Sequence, residues 1–291
     1  MDKTIKIVVL AKQVPDTRNV GKDAMKADGT VNRAALEAIF NPEDLNALEV
    51  ALSIKDRYPA TITILTMGPS RAAEVIREGL YRGADGGVLL TDRKFAGSDT
   101  LATSYALSST IKKMECDIII AGRQAIDGDT AQVGPQVAQK LNLPQITYCE
   151  TVEKIENGTI TAVRRLENGV ETVEGQLPLL LTVNASAPEC RPRNAKLLMK
   201  FKHAVTASEV QDSAEDYFAD IRKERAYLNI AEWGADDIDA DSEQLGLSGS
   251  PTKVKKIENI VFTAKEAKLL TSSDSDMEGL IQELIANHTI G

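Results

Sequence analysis

The sequence predicts an α/β fold: a doubly wound parallel sheet, extended by an antiparallel β meander and followed by a C-terminal arm. Three observations predict it. Short β-branched runs alternate with amphipathic helical stretches from residue 5 to about 141, which calls for parallel strands joined by helices over both faces. β-rich runs then follow with Asn157-Gly158 and Asn168-Gly169 between them, and Asn-Gly is the strongest short hairpin signal. From Ser208 to Ser250 the chain is strongly acidic, with weak helical signals and little core of its own.

The elements follow in order. Ile5 to Leu10, IKIVVL, is a continuous β-branched run and the first strand, with Lys12 to Thr17 as the loop at its carboxyl end. Asn19 to Arg33 carries Gly21, Asp28-Gly29 and Asn32 and reads as a hairpin or a loose excursion. Asn41-Pro42-Glu43-Asp44 starts a helix: Asn41 as cap, Pro42 at the first helical position, two acids at the positive end of the dipole. Its buried stripe is Leu45, Leu48, Ala51 and Leu52. Thr61 to Met67 is the second strand, ended by Gly68-Pro69. A helix burying Ala72, Val75, Ile76, Gly79 and Leu80 comes next, then a short strand from Gly87 to Leu90. Ser98-Asp99-Thr100 caps a helix that runs to about Lys113.

The stretch Cys116 to Leu141 is where a ligand site is expected. Ile118 to Ala121 is a buried strand, Gly122 to Gly128 a polar turn, and Val133, Val137, Ala138 and Leu141 one face of a helix. Asp129 with Gln132 reads as an N-cap and capping box. Pro135 implies either a kink or a helix that starts near Gly134. Strand, turn and helix form a crevice at a strand's carboxyl end, and a helix start favours anionic oxygen. Gly122 and Gly128 would let a ligand approach the backbone. Asp127 and Asp129 repel phosphate, so its contacts must come from main-chain N–H groups, Thr130 and Arg123; the carboxylates suit ribose hydroxyls or helix capping.

Beyond it, Gln145 to Lys154, Thr159 to Leu166, Gly169 to Glu174 and Leu177 to Val183 read as strands of a meander over 145–183, added at the sheet's edge. Arg191, Arg193, Lys196, Lys200 and Lys202 form a basic patch, interleaved with Leu197, Leu198, Met199 and Phe201. It reads either as an amphipathic surface helix with snorkelling lysines or as a docking surface. Residues 1–205 are therefore taken as one domain and 206–291 as an arm, one that needs another surface to bury Leu228 and Trp233. Ile257 to Phe262 is read as a strand, Ala264 to Leu270 and Asp276 to Asn287 as helices.

Composition narrows the function. A net charge of −9, with 34 basic against 43 acidic residues, argues against nucleic acid, and 4% aromatics against a base-stacking platform. The three cysteines, Cys116, Cys149 and Cys190, are far apart, and no metal-ligand spacing is visible. The first apolar run breaks at Lys12, too soon for a signal peptide, and no run reaches membrane-spanning length, so a cytoplasmic protein without membrane insertion is expected. His203 and His288 stand in unrelated contexts, and no nucleophile–base constellation, Walker loop or GxGxxG is present. Any redox or transfer chemistry would then be carried by a cofactor. No side chain is thereby assigned as catalytic.

Four blocks in order, VVLAKQVPDT, FNPEDLNALEVAL, GRQAIDGDTAQVGP and GLSGSPTKV, resemble the β subunit of electron-transfer flavoproteins over nearly the whole chain. The resemblance implies a heterodimer with an electron-transfer flavoprotein α subunit, and a nucleotide site in this chain. By it, Leu10, Ala11 and Lys12, Asn41, Pro42 and Asp44, and Met67 with Gly68 contribute to that site. So do Gly122, Arg123, Gln124, Ala125, Ile126 and Asp127, and then Gly128, Asp129, Thr130, Ala131, Gln132 and Val133. The ligand is AMP in many members and a second FAD in the electron-bifurcating group. The wording GDTAQVGP and GSPTKV, with Gly128 where AMP-type members have another acid, looks more like the FAD group. The implied function is passing electrons between NADH, an acyl-CoA dehydrogenase-type flavoprotein and a low-potential acceptor such as ferredoxin or flavodoxin. The implied docking segment lies within 188–202, with Arg193, Lys196, Leu197, Leu198, Met199 and Lys200, although Asn194 departs from the family's usual tyrosine. A stand-alone adenine-nucleotide sensor or hydrolase is the reading of another class.

Overall fold

The computed structural model describes residues 4–16, 37–211, 218–252, 268–287 and 289–290. In chain order the elements are β1 (Ile5–Leu10), β2 (Gln13–Pro15), β3 (Ala38–Phe40), α1 (Pro42–Lys55), β4 (Ala60–Met67), α2 (Ala73–Arg82), β5 (Gly86–Leu90), α3 (Thr100–Lys113), β6 (Ile118–Gly122) and α4 (Val133–Leu141). There follow β7 (Gln145–Glu156), β8 (Thr159–Leu166), β9 (Gly169–Gln176), β10 (Leu179–Val183), α5 (Ala195–Phe201), α6 (Ala207–Gln211), α7 (Ala219–Glu224), β11 (Ala231–Trp233) and α8 (Asp274–Ala286).

A nine-stranded sheet in the order β11-β5-β4-β1-β6-β10-β7-β8-β9 carries the fold. Its strands are parallel from β11 to β7, and only β8 and β9 run against their neighbours. Strand alternation sorts the apolar side chains onto two faces. Ile7 and Val9 of β1, with Ile62 and Ile64 of β4, pack under α1 and α2. Val8 and Leu10, with Ile119 of β6, pack under α3 and α4. This is the doubly wound arrangement expected, and each of these buried Ile or Leu side chains contributes about 1.5–3 kcal/mol.

Four expectations are corrected. First, the meander does extend the sheet at its edge, but with three strands and not the four expected. β7, β8 and β9 are antiparallel, but β10 leaves them and inserts parallel between β6 and β7. Its sequence LLLTV is buried at every position, and a strand with no polar face belongs inside a sheet. Second, the loop after β1 contains β2, which pairs antiparallel with β3. Third, α4 begins at Val133 with Gln132 as cap residue and no side-chain cap; Asp129 has φ 47° and accepts from the Gln124 amide at 3.0 Å instead. The later of the two starts offered for this helix therefore holds. Pro135 falls in the first turn, where its missing N–H costs nothing.

Fourth, Leu228 does not wait for another surface. It is 2% exposed in the same core as β1, and Trp233 is half-buried at the end of β11, its carbonyl accepting from Thr91 N at 2.9 Å. Ile230, Ala235, Ile238 and Leu245 are buried on either face beside it. Helix α8, by contrast, buries no residue, and Met277, Ile281 and Ile285 lie exposed along it. The excursion at 19–33, the strand expected at 257–262, most of the helix expected at 264–270 and His288 lie outside the described residues.

Candidate functional site

β1 is followed in the sheet by β4 on one side and β6 on the other. The carboxyl ends of β1 and β6 thus part at a topological switch point, the place where open α/β sheets bind ligands. The N-terminus of α1 is wedged between these ends. Lys12 O accepts from Asn41 N at 3.0 Å. The Asp44 carboxylate accepts from Lys12 N at 2.9 Å and from Gly122 N at 3.1 Å, so one side chain clamps both strand ends. Asp44 is 6% exposed. Burial drives its pKa up to about 7, against the pull of the hydrogen bonds from Lys12 N, the Asn41 side chain and Gly122 N.

Neighbouring side chains hold the loop after β6. Asn41 is fully buried and does not cap α1 through its amide; its Nδ2 donates to Gln124 O at 2.9 Å and its Oδ1 accepts from Ile126 N at 3.1 Å. Glu43 accepts from Gln124 N at 3.0 Å and from Arg123 Nη2 at 3.0 Å. That pairing, with its hydrogen bond foremost, raises the Arg123 pKa and occupies the guanidinium expected to meet phosphate. Lys12 Nζ lies 2.7 and 2.8 Å from the two oxygens of Asp127. Ala125 O closes the turn, accepting from Gly128 N and Asp129 N.

Gly122 has a different purpose from the one expected. A Cβ there would lie 2.4 Å from Asp44 Oδ1 and 2.7–2.8 Å from the backbone of residues 43 and 44. The glycine makes room for α1, not for a ligand. Gly134 likewise lets α4 approach Thr182 of β10. Around Gly128, however, a Cβ would meet nothing within 4 Å. Gly128, Asp129, Thr130 and Gln132 are exposed, and Asp129 and Ala131 both adopt left-handed backbone, at φ 47° and 52°. Such alternation turns successive N–H groups toward one concavity, next to the first turn of α4, whose N–H groups have no intrahelical acceptor. The residues present therefore fit an anionic, hydroxyl-bearing ligand such as an adenine nucleotide: main-chain donors, the Thr130 hydroxyl, and carboxylates to one side.

The structure thus joins Lys12, Asn41, Glu43 and Asp44 with Gly122, Arg123, Gln124, Ile126 and Asp127 through direct hydrogen bonds, and Leu10 ends β1 in register with Ala121 of β6. Gln132 joins through Thr100, whose Oγ1 donates to Gln132 Oε1 at 2.9 Å. Met67 and Gly68 end β4, one strand away; Gly68 N donates to Leu90 O and Met67 packs against the α3–α4 core. No hydrogen bond joins them to the loop among the described residues. Glu43 was legible only as a helix-start acid; its role in holding residues 123 and 124 follows from pairing across 80 positions. A separate groove of about 720 Å³, lined by Ile5, Tyr58, Asp117, Asn157 and Pro178 among others, lies at the opposite, amino-terminal end of the sheet.

Of the residues expected to dock a partner, Lys196, Met199 and Lys200 are exposed on α5, which Asn194 caps by accepting from Lys196 N and Leu197 N. Leu197 and Leu198 pack against the core. Arg193 pairs with Glu78 at 2.6 Å, and Arg191 with Glu49 and Asp56, so part of the basic patch is structural. The three cysteines are free, with burial pushing the thiols up, to about 12 at Cys149 and Cys190 and about 11 at Cys116. None is poised as a nucleophile.

Comparison with known proteins bears on the chain as a whole. The family model "Electron transfer flavoprotein domain" matches residues 28–212. The chain is 47% identical over 250 residues to the electron transfer flavoprotein subunit beta of Clostridium acetobutylicum, covering 86% of each chain. It is 40% identical over 285 residues to the corresponding subunit of Thermoanaerobacterium thermosaccharolyticum, covering 98% of this chain and 99% of that one. It is 42% identical over 252 residues to the CarD subunit of the caffeyl-CoA reductase-Etf complex of Acetobacterium woodii, covering 86% of each.

Proposed function

We infer the function of this chain from one premise: it belongs to the electron transfer flavoprotein family, as a β-subunit homologue with an electron-transfer role. We propose that the crevice at the β1–β6 switch point holds FAD and that the chain works in a heterodimer with an electron-transfer flavoprotein α subunit. We propose further that the pair is of the bifurcating type, taking electrons from NADH and passing them to an acyl-CoA dehydrogenase-type flavoprotein and to ferredoxin or flavodoxin. When bound, FAD would supply the redox chemistry that no side chain here provides. The observation that supports this most is the open space at Gly128 beside the left-handed backbone of Asp129 and Ala131.

The chain's own residues have positioning duties in this reading. Asp44 and Asn41 hold the crevice walls, Glu43 holds Arg123 in place, and the loop's N–H groups with Thr130 would meet the diphosphate. Lys12 neutralises Asp127, which removes one of the two negative charges expected to repel that diphosphate. The reductase complex named for the Acetobacterium relative supports an acyl-CoA-type partner, reached through the exposed face of α5. Among the described residues no helix is long and apolar enough to cross a membrane.

The test is a count of nucleotides released per purified α/β pair. Two FAD supports the proposal. One FAD with one AMP rejects the second flavin, and bifurcation with it, while leaving the nucleotide crevice standing. A pair that releases no nucleotide attributable to this chain rejects the crevice.

A further inference from the structure

We propose that Asp99 and Thr100 are positioning residues that tie the nucleotide loop to the block Gly246–Thr252, so that nucleotide binding and the docking of this C-terminal block support one another. The inference rests on the proposed nucleotide site and adds to it a coupled element that lies outside it. Among the described residues, the block GLSGSPT is hydrogen-bonded to residues 97 and 99 and within its own turn, not to the crevice residues.

The connection is a continuous run of hydrogen bonds. Asp99 divides its carboxylate: Oδ1 accepts from Leu101 N and Ala102 N and so caps α3, while Oδ2 accepts from Thr252 N at 3.1 Å and Thr252 Oγ1 at 2.6 Å. Asp99 N donates in turn to Ser250 Oγ at 2.8 Å, and that hydroxyl donates to Gly246 O at 2.6 Å. One residue on, Thr100 Oγ1 donates to Gln132 Oε1, and Gln132 is the cap residue of α4, the end of the nucleotide loop. The first turn of α3 thus touches the block on one side and the loop on the other.

The fit of the block is specific. Gly246 has φ +55° and a Cβ there would fall 2.4 Å from Lys94 O; a Cβ on Gly249 would fall 2.1 Å from the Gln244 backbone. Leu245 and Ser250 are buried at 2% and 4% exposure. A surface loop with no task beyond connection does not need two glycines and a buried serine seated on a helix cap. A nucleotide that orders residues 128–133 orders Gln132, hence Thr100, hence the cap to which Thr252 is fastened, and linkage requires the effect to run both ways.

Three variants test this in the α/β pair. Thr252→Val removes one hydroxyl from the far end. Asp99→Asn keeps a cap oxygen for α3 but sets an amide N–H₂ against the Thr252 donors. Thr100→Val cuts the link to Gln132. Equilibrium dialysis measures binding of the second equivalent of FAD, or of AMP. Each variant is expected to weaken it about fivefold to tenfold, the effect of one lost hydrogen bond. Thr100→Val combined with Thr252→Val is expected to weaken it less than the product of the two, because both cut one path. A wild-type pair that binds neither probe in this chain sinks the functional reading and this proposal together. A loaded wild type with unchanged affinity in all three variants, whatever their melting temperatures, sinks this proposal alone, as does full additivity in the double variant.

Discussion

Replacing Asp44 by asparagine should flatten the chain's pH–stability profile. Asp44 is buried, and its pKa stands at about 7 in the fold against 3.8 as its ordinary value. The folded state therefore holds a proton that the unfolded chain releases near pH 4. The stability this group contributes is complete below about pH 4 and is lost as pH rises through 7. Between pH 5 and pH 7.5 the linkage integral with these two values is about 2.5 kcal/mol, lost on the alkaline side. Asparagine does not titrate. Its single oxygen serves either Lys12 N or Gly122 N, and its N–H₂ opposes the other, which costs about 1–3 kcal/mol at pH 5. At pH 7.5 that loss is offset by the ionisation the variant avoids, and the two proteins should be nearly equal. Urea unfolding of the ligand-free chain, followed by fluorescence of its single tryptophan, Trp233, measures both. Wild-type and variant curves that shift in parallel between pH 5 and 7.5 would refute the assignment of a buried, proton-holding clamp.

Other predictions follow from the same loop. Gly122→Ala forces a methyl into the Asp44 carboxylate and the α1 backbone, and should destabilise the chain by about 1–3 kcal/mol in the same urea assay. Gly128→Asp meets open space, so stability should stay within about 0.5 kcal/mol of wild type while the pair loses nucleotide; an unchanged nucleotide count would place the diphosphate elsewhere. Lys12→Met breaks an exposed pair with Asp127 that is worth under about 1 kcal/mol, yet it restores a bare carboxylate at the mouth, so nucleotide affinity should fall, and fall more at low salt. Because Leu228 and the β11 segment already pack on the domain, the isolated chain should unfold in urea in one cooperative transition seen by Trp233; a separate early transition there would contradict that packing.

Much of this was legible because local signals and tertiary roles agreed. The run IIIA of β6, the Asp99 cap of α3 and the Leu48, Ala51 and Leu52 stripe of α1 each answer to one periodicity or one capping rule, and the fold uses them as written. What stayed hidden depended on distance along the chain. Nothing within ten residues of Glu43 says that it will meet Arg123, and nothing near Lys12 names Asp127, 115 positions away. The same holds for β10: its apolar run announces a buried strand, but the choice between edge and interior is made by the partners β6 and β7. Leu228, Ile230, Ala235 and Ile238 sustain no single period, because a short turn and a three-residue strand break the segment, so it read as an arm.

The helix start at Asn41 is where the local rule and the neighbouring loop compete for the same atoms: the start holds, the side-chain cap does not. Asn at that position with Pro42 and two acids is a strong helix-start pattern, and a helix does start there. Yet the Asn41 amide, the Glu43 carboxylate and the Asp44 carboxylate all turn away from their own helix to hold residues 122–126 and Lys12. α1 gives up a side-chain cap worth about 1 kcal/mol and accepts a buried acid, which is destabilising near neutral pH. Packing alone supplies no reason for such a concession, since an apolar helix start would bury as well. A crevice whose two walls must stay at fixed separation at the switch point does supply one. The cost sits where α1, β1 and β6 meet, and there the proposed site would account for a departure from the rules that the remainder of the fold obeys.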